Sequence, residues 1–108
     1  MNDRVTIEIK DGIADVRFNR ADKMNALDDE MFAGIIGAGL QLKEDKSVRV
    51  VVLSGEGRAF CAGLDTGNFA RTAAAGKETR PEGRLLARTH GIANNPQYAV
   101  WVWREVPV

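Results

Sequence analysis

An apolar run at residues 48–53, Val-Arg-Val-Val-Val-Leu, feeds almost directly into Gly-Glu-Gly-Arg-Ala-Phe-Cys-Ala-Gly-Leu-Asp at residues 55–65. This junction constrains the fold more than any other stretch of the chain. An apolar strand that ends in glycines and small residues brings bare peptide groups to a surface where a ligand can approach closely. Asp65 is placed to cap a following helix, which leaves the N–H groups around Gly63 and Leu64 free to donate to an anion.

The segments upstream supply the rest of an α/β unit. Val5, Ile7 and Ile9 alternate with Thr6, Glu8 and Lys10, the period of a half-buried strand. Asp11-Gly12 then makes a hairpin turn into a returning strand at residues 13–18. Residues 19–27 are polar and irregular. Asp28 or Asp29 caps a helix reaching about Asp45, with Met31, Phe32, Ile35, Ile36 and Leu40 on its apolar side. Gly34, Gly37 and Gly39 weaken that helix but permit close packing. The run at 48–53 is apolar on both faces apart from Arg49, so a strand covered from both sides is expected there, joined to its predecessor by a right-handed crossover. Further on, a short helical turn is expected at 66–69 and a mobile loop at 70–81. A helix is expected at 82–93, with a boundary at Asn94-Asn95-Pro96 and a last helix over 97–105 ended by Pro107.

Composition narrows the partners. Fifteen basic and fifteen acidic side chains among 108 residues leave no net charge, so no polyanion such as nucleic acid is implied. A single cysteine forms no internal disulfide, and the polar start of the chain lacks a signal-peptide stretch, which points to a cytoplasmic setting. The longest apolar run, residues 50–53, is far too short to cross a bilayer.

Individual reactive residues argue for structure more than chemistry. Cys61, between Phe60 and Ala62 with no neighbouring histidine, suits a small buried side chain better than a nucleophile. His90 is the only histidine, which excludes a multi-histidine metal site and suits a helix-surface position; no metal-ligand spacing occurs. Asp65 fits a helix cap better than an acid, and Trp101 and Trp103 fit packing better than the border of a pocket. The glycines at 55 and 57 complete neither a dinucleotide fingerprint nor a P-loop.

Read together with Arg20-Ala21-Asp22-Lys23-Met24-Asn25-Ala26-Leu27, the loop at 55–65 resembles the crotonase superfamily, also called the enoyl-CoA hydratase/isomerase family. The two motifs stand in that family's order and at about its spacing. The resemblance runs over residues 5–65 and resumes at 101–108. It implies an α/β fold, the crotonase-like ββα spiral, with residues 1–108 as the N-terminal part of a domain that continues after Val108.

What the resemblance implies chemically is an enzyme of acyl-CoA thioesters, an enoyl-CoA hydratase or an enoyl/dienoyl-CoA isomerase. The Leu64 N–H falls on one donor of a backbone oxyanion hole, with the small Gly63 and Ala62 beside it. Lys23, Ala26, Leu27, Ala62, Leu64 and Asp65 fall on substrate-binding positions, Lys23 standing either near a CoA phosphate or as a solvated loop charge. The second donor and the acid/base carboxylates belong to a later glycine-rich loop. Some members carry a lysine shortly after the oxyanion loop, where position 67 here is glycine. The family implies no cofactor beyond the thioester substrate, no metal, no membrane and a homo-trimer or dimer of trimers. The rival reading is a non-catalytic CoA-binding or assembly module; a non-catalytic nucleotide-binding domain is disfavoured by the missing phosphate-loop spacings.

Overall fold

The computed structural model describes residues 3–67, 88, 90–91 and 93–108. Strand β1 (Val5–Lys10) and strand β2 (Ile13–Phe18) pair antiparallel from Val5 opposite Phe18 to Lys10 opposite Ile13. The two-residue turn between them places Asp11 at φ 53° and Gly12 at φ 80°. Left-handed geometry at both positions matches the right-handed twist of the flanking strands, and Asp-Gly tolerates it at low cost.

Helix α1 (Asp29–Glu44) follows, and strand β3 (Val50–Gly55) returns parallel to β2, giving the sheet order β1-β2-β3. Asp28 caps α1, its carboxylate accepting from the Met31 N–H at 2.8 Å. β3 starts at Val50 rather than Val48, because the N–H groups of Arg49 and Val50 both donate to the Gly12 carbonyl and fasten this segment to the hairpin turn first.

The pleat sends Val5, Ile7, Ala14, Val16, Phe18, Val51 and Leu53 to one face of the sheet, where α1 lays Met31, Phe32, Ile35 and Ile36. The expectation of a strand covered on both faces fails for β3. Val50 and Val52 are 45% and 49% exposed, and among the described residues no element lies over the face they share with Ile13.

Helix α2 (Asn95–Glu105) packs on α1 at the far side of the core. Its start is a capping box: Asn94 accepts from the Gln97 N–H while the Gln97 side chain accepts from the Asn94 N–H, and Pro96 occupies the first turn, where no donor is needed. The helices meet at Gly39, where a Cβ would lie 2.6 Å from both γ-carbons of Val102. This close approach turns Ala38, Gly39 and Leu42 inward and leaves Leu40 exposed, contrary to the apolar stripe expected from spacing alone.

The helix expected at 82–93 lies mostly outside the described residues, as do the loop at 70–81 and the latter half of the turn at 66–69. Its described end is not helical. His90 and Ala93 exchange backbone hydrogen bonds of 3.1 and 3.0 Å around Gly91, whose φ of 62° breaks any helical progression. His90 therefore stands on a tight turn rather than a helix surface, its ring stacked flat on Tyr98 with centroids 4.1 Å apart. Among the described residues no helix is long and apolar enough to cross a membrane.

Candidate active-site loops

Two loops leave the same end of the sheet, one after β2 and one after β3, because parallel strands deliver their carboxyl ends together. The first loop winds through a 3-10 turn (Ala21–Lys23), and Met24 and Asn25 then take left-handed conformations with φ 50° and 58°. This double reversal is closed by hydrogen bonds from the N–H groups of Lys23 and Asn25 to the Arg20 carbonyl. It carries the buried Asn25 side chain into the gap between the loops.

Asn25 satisfies backbone on both sides of that gap. Its Oδ1 accepts from the Arg20 N–H at 2.8 Å, and its Nδ2 donates to the carbonyls of Glu56 and Ala59 at 3.0 and 2.7 Å. The second loop is thereby tied to the first, with the Phe60 ring stacked on Phe18 at 4.9 Å.

Beyond Phe60 the loops run side by side. The Ala62 N–H donates to Met24, the Leu27 N–H to the Gly63 carbonyl at 2.7 Å, and the Asp65 N–H to the Leu27 carbonyl at 3.0 Å. The last two make an isolated parallel bridge between Leu27 and Leu64. In such a bridge the flanking residues do the bonding, so the N–H of Leu64 itself points to the opposite side. It meets no acceptor among the described residues. Leu64 is half exposed, and among the described residues, chain neighbours aside, nothing lies within 4 Å of where a Gly63 Cβ would sit. Gly63 has φ 98°, a conformation that only glycine adopts without strain.

Arg20 and Asp65 close the arrangement. Nη1 of Arg20 donates to Asp65 Oδ2 at 2.5 Å and to the Ala26 carbonyl at 3.0 Å, and Nη2 lies 3.4 Å from Asp28. The Arg20 hydrogen bond, reinforced by the N–H of Gly67 on Asp65 Oδ1, holds the Asp65 carboxyl below the usual carboxylate range. Asp65 is thus an ionised cap at the start of a helical turn and not a proton donor near neutral pH.

Of the residues expected at the site, Lys23, Ala26 and Leu27 come from the first loop and Ala62, Gly63, Leu64 and Asp65 from the second, and the bonds above bring the two loops together. Lys23 and Ala62 are exposed at their edge. Cys61 is partly buried against the core. His90 and Trp101 belong elsewhere: they line a groove with Val100, Gln97 and Glu105 that includes no residue of either loop. Trp103 packs on the core. Arg20 and Asn25 join the site as residues that spacing alone does not assign; the one sequence signal for the Arg20–Asp65 pair is an Arg and a later Asp of opposite charge in separate motifs. Among the described residues no group of three or more His, Cys, Asp or Glu is gathered in the way a metal ion needs.

Two loops brought together at the carboxyl ends of neighbouring parallel strands define an α/β protein whose candidate site is built largely from backbone groups. Residues 8–97 match the enoyl-CoA hydratase/isomerase family, and the chain belongs to it. It is 38% identical over 78 residues to the hydroxycinnamoyl-CoA hydratase-lyase of Pseudomonas fluorescens, covering 72% of this chain and 28% of that protein. It is also 38% identical over 68 residues to 3-hydroxyisobutyryl-CoA hydrolase 1 of Arabidopsis thaliana, covering 63% and 18%. Among solved structures, an enoyl-CoA hydratase from Mycobacterium marinum superposes with a TM-score of 0.60 at 28% identity, over 63% of this chain and 32% of that one. The chain thus spans less than a third of the length of the curated relatives it matches. The crotonase-type α/β fold expected from the motifs is the fold of these neighbours.

Proposed function

We propose that the complete protein acts on an acyl-CoA thioester as an enoyl-CoA hydratase or isomerase, with the Leu64 N–H as one donor of its oxyanion hole. The observation that carries this reading is that the Leu64 N–H, turned away from the Leu27 bridge, meets no acceptor among the described residues, at a residue that is itself half exposed. Adding water to, or moving, a double bond conjugated with a thioester puts negative charge on the thioester oxygen. A fixed peptide dipole there stabilises the enolate-like species without reorganising, and one such donor is worth about 3 kcal/mol.

The rest of the reading follows the family's pattern. Lys23 reaches a CoA phosphate, Ala26 and Leu27 lie along the pantetheine, and the Ala62 carbonyl meets the adenine amino group. A second donor and the carboxylates that move protons come from a later glycine-rich loop. A homo-trimer or dimer of trimers, in the cytoplasm, and a role in fatty-acid metabolism belong to the same proposal.

The experiment is Gly63→Val in the full-length protein, assayed for hydration and double-bond isomerisation of enoyl-CoA. A branched side chain at 63 is strained at φ 98° and shifts the peptide that carries the Leu64 N–H. Turnover should fall by about a hundredfold or more, since the variant disturbs a donor of that weight. Undiminished turnover would sink the Leu64 assignment. Tight binding of acetyl-CoA with no turnover by the unaltered protein would instead identify a CoA-binding module.

A further inference from the structure

Arg20 grips both sides of the Leu27–Leu64 bridge. Its Nη1 holds the Ala26 carbonyl, one residue before Leu27, and the Asp65 carboxylate, one residue after Leu64; its Nη2 faces Asp28, one residue after Leu27. The side chains of Arg20, Asp28 and Asp65 are only 12–14% exposed, so these contacts are weakly screened. Asp65 in turn spends its other oxygen on the Gly67 N–H. One guanidinium therefore fixes three residues that flank the bridge, and the bridge decides where the Leu64 N–H points.

We infer that Arg20 is a positioning residue that sets the register of the two loops and so aims the Leu64 N–H, acting through Asp65 and the Ala26 carbonyl. This rests on Leu64 being an oxyanion donor. The role needs arginine: a planar fork with five donors serves the carbonyl and two carboxylates at once, whereas a lysine ammonium is a point charge on a flexible stem. A donor displaced by a fraction of an ångström still lets CoA bind but meets the enolate oxygen badly.

The test is Arg20→Lys in the full-length protein, compared with Gly63→Val. Arg20→Lys should lower kcat by roughly ten- to a hundredfold, with the Kd of free CoA changed less than about twofold, because misplacement is felt at the reacting centre. Amide exchange at Leu27 and Asp65 should quicken while that of Val16 in β2 does not, a local signature that general destabilisation would not leave. Should Arg20→Lys fail to fold, Asp65→Asn, which leaves the guanidinium on Ala26 and Asp28, carries the same expectation. If Gly63→Val is inactive and Arg20→Lys turns over normally, or if exchange quickens equally throughout, the inference is overturned while the donor reading stands. If Gly63→Val turns over normally, the donor reading falls and the inference with it.

Discussion

The carboxamide of Asn25 donates to the Ala59 carbonyl at 2.7 Å across 34 residues of chain, and with the same nitrogen to Glu56. It is a buried polar group with its acceptor and both donors used, which is the condition under which burying a carboxamide stabilises rather than costs. The second loop has little apolar anchorage beyond Phe60 on Phe18, so these bonds hold its early part against the first loop.

Asn25→Ala removes all three bonds and strips partners from partly buried backbone groups, so a loss of about 3 kcal/mol is expected. Urea unfolding should show a lower midpoint with an unchanged slope. Asn25→Gly relieves the left-handed backbone but not the bonds, and should recover only the smaller, conformational part of the loss.

At Gly39 two effects oppose each other. Alanine is the better helix former by about 1 kcal/mol, but its methyl would sit 2.6 Å from the Val102 γ-carbons. Overpacking of this kind costs about 1–3 kcal/mol and should win, so Gly39→Ala should melt lower than the unaltered protein. Adding Val102→Ala should restore part of that loss, making the pair strongly non-additive in thermal unfolding.

These elements differ in how far they were legible beforehand. The hairpin and both caps follow from short-range chemistry at Asp11-Gly12, Asp28 and Asn94, where one side chain or one turn type decides the backbone. The exposed face of β3 and the outward turn of Leu40 were not legible, because they depend on which elements lie opposite Val50 and Gly39. The residues of the candidate site were readable as motifs, but the pairing of Arg20 with Asp65 joins positions 45 apart and appears only once the parallel strands deliver both loops to one end. His90 was misplaced because the left-handed turn at Gly91 leaves no hydrophobic signature.

Tyr98 is the single tyrosine of these 108 residues, and its ionisation is followed as the ultraviolet absorbance difference between the unaltered protein and Tyr98→Phe. Its hydroxyl donates to Glu105, and that bond together with burial pushes its pKa up to about 12. A folded-state pKa raised above the unfolded one contributes stability that is complete below about pH 10 and is lost as pH rises toward 12. Glu105→Gln should move the absorbance midpoint down. An unchanged midpoint would place the cause in burial alone.

Asp65 carries the opposite sign. Its folded-state carboxyl is held below the unfolded value of about 4, first by Arg20 and then by the Gly67 N–H. Stability from this group is therefore fully present above about pH 4 and is lost as pH falls through the folded-state pKa. Unfolding curves of the unaltered protein and Asp65→Asn should differ most at neutral pH and converge on acidification below about pH 4. The comparison isolates the ionised carboxylate, because asparagine keeps an oxygen that can still cap Gly67 but no longer pairs with Arg20 as an anion. A difference that stays constant down to pH 2 would mean that packing around position 65, rather than its charge, joins the two loops.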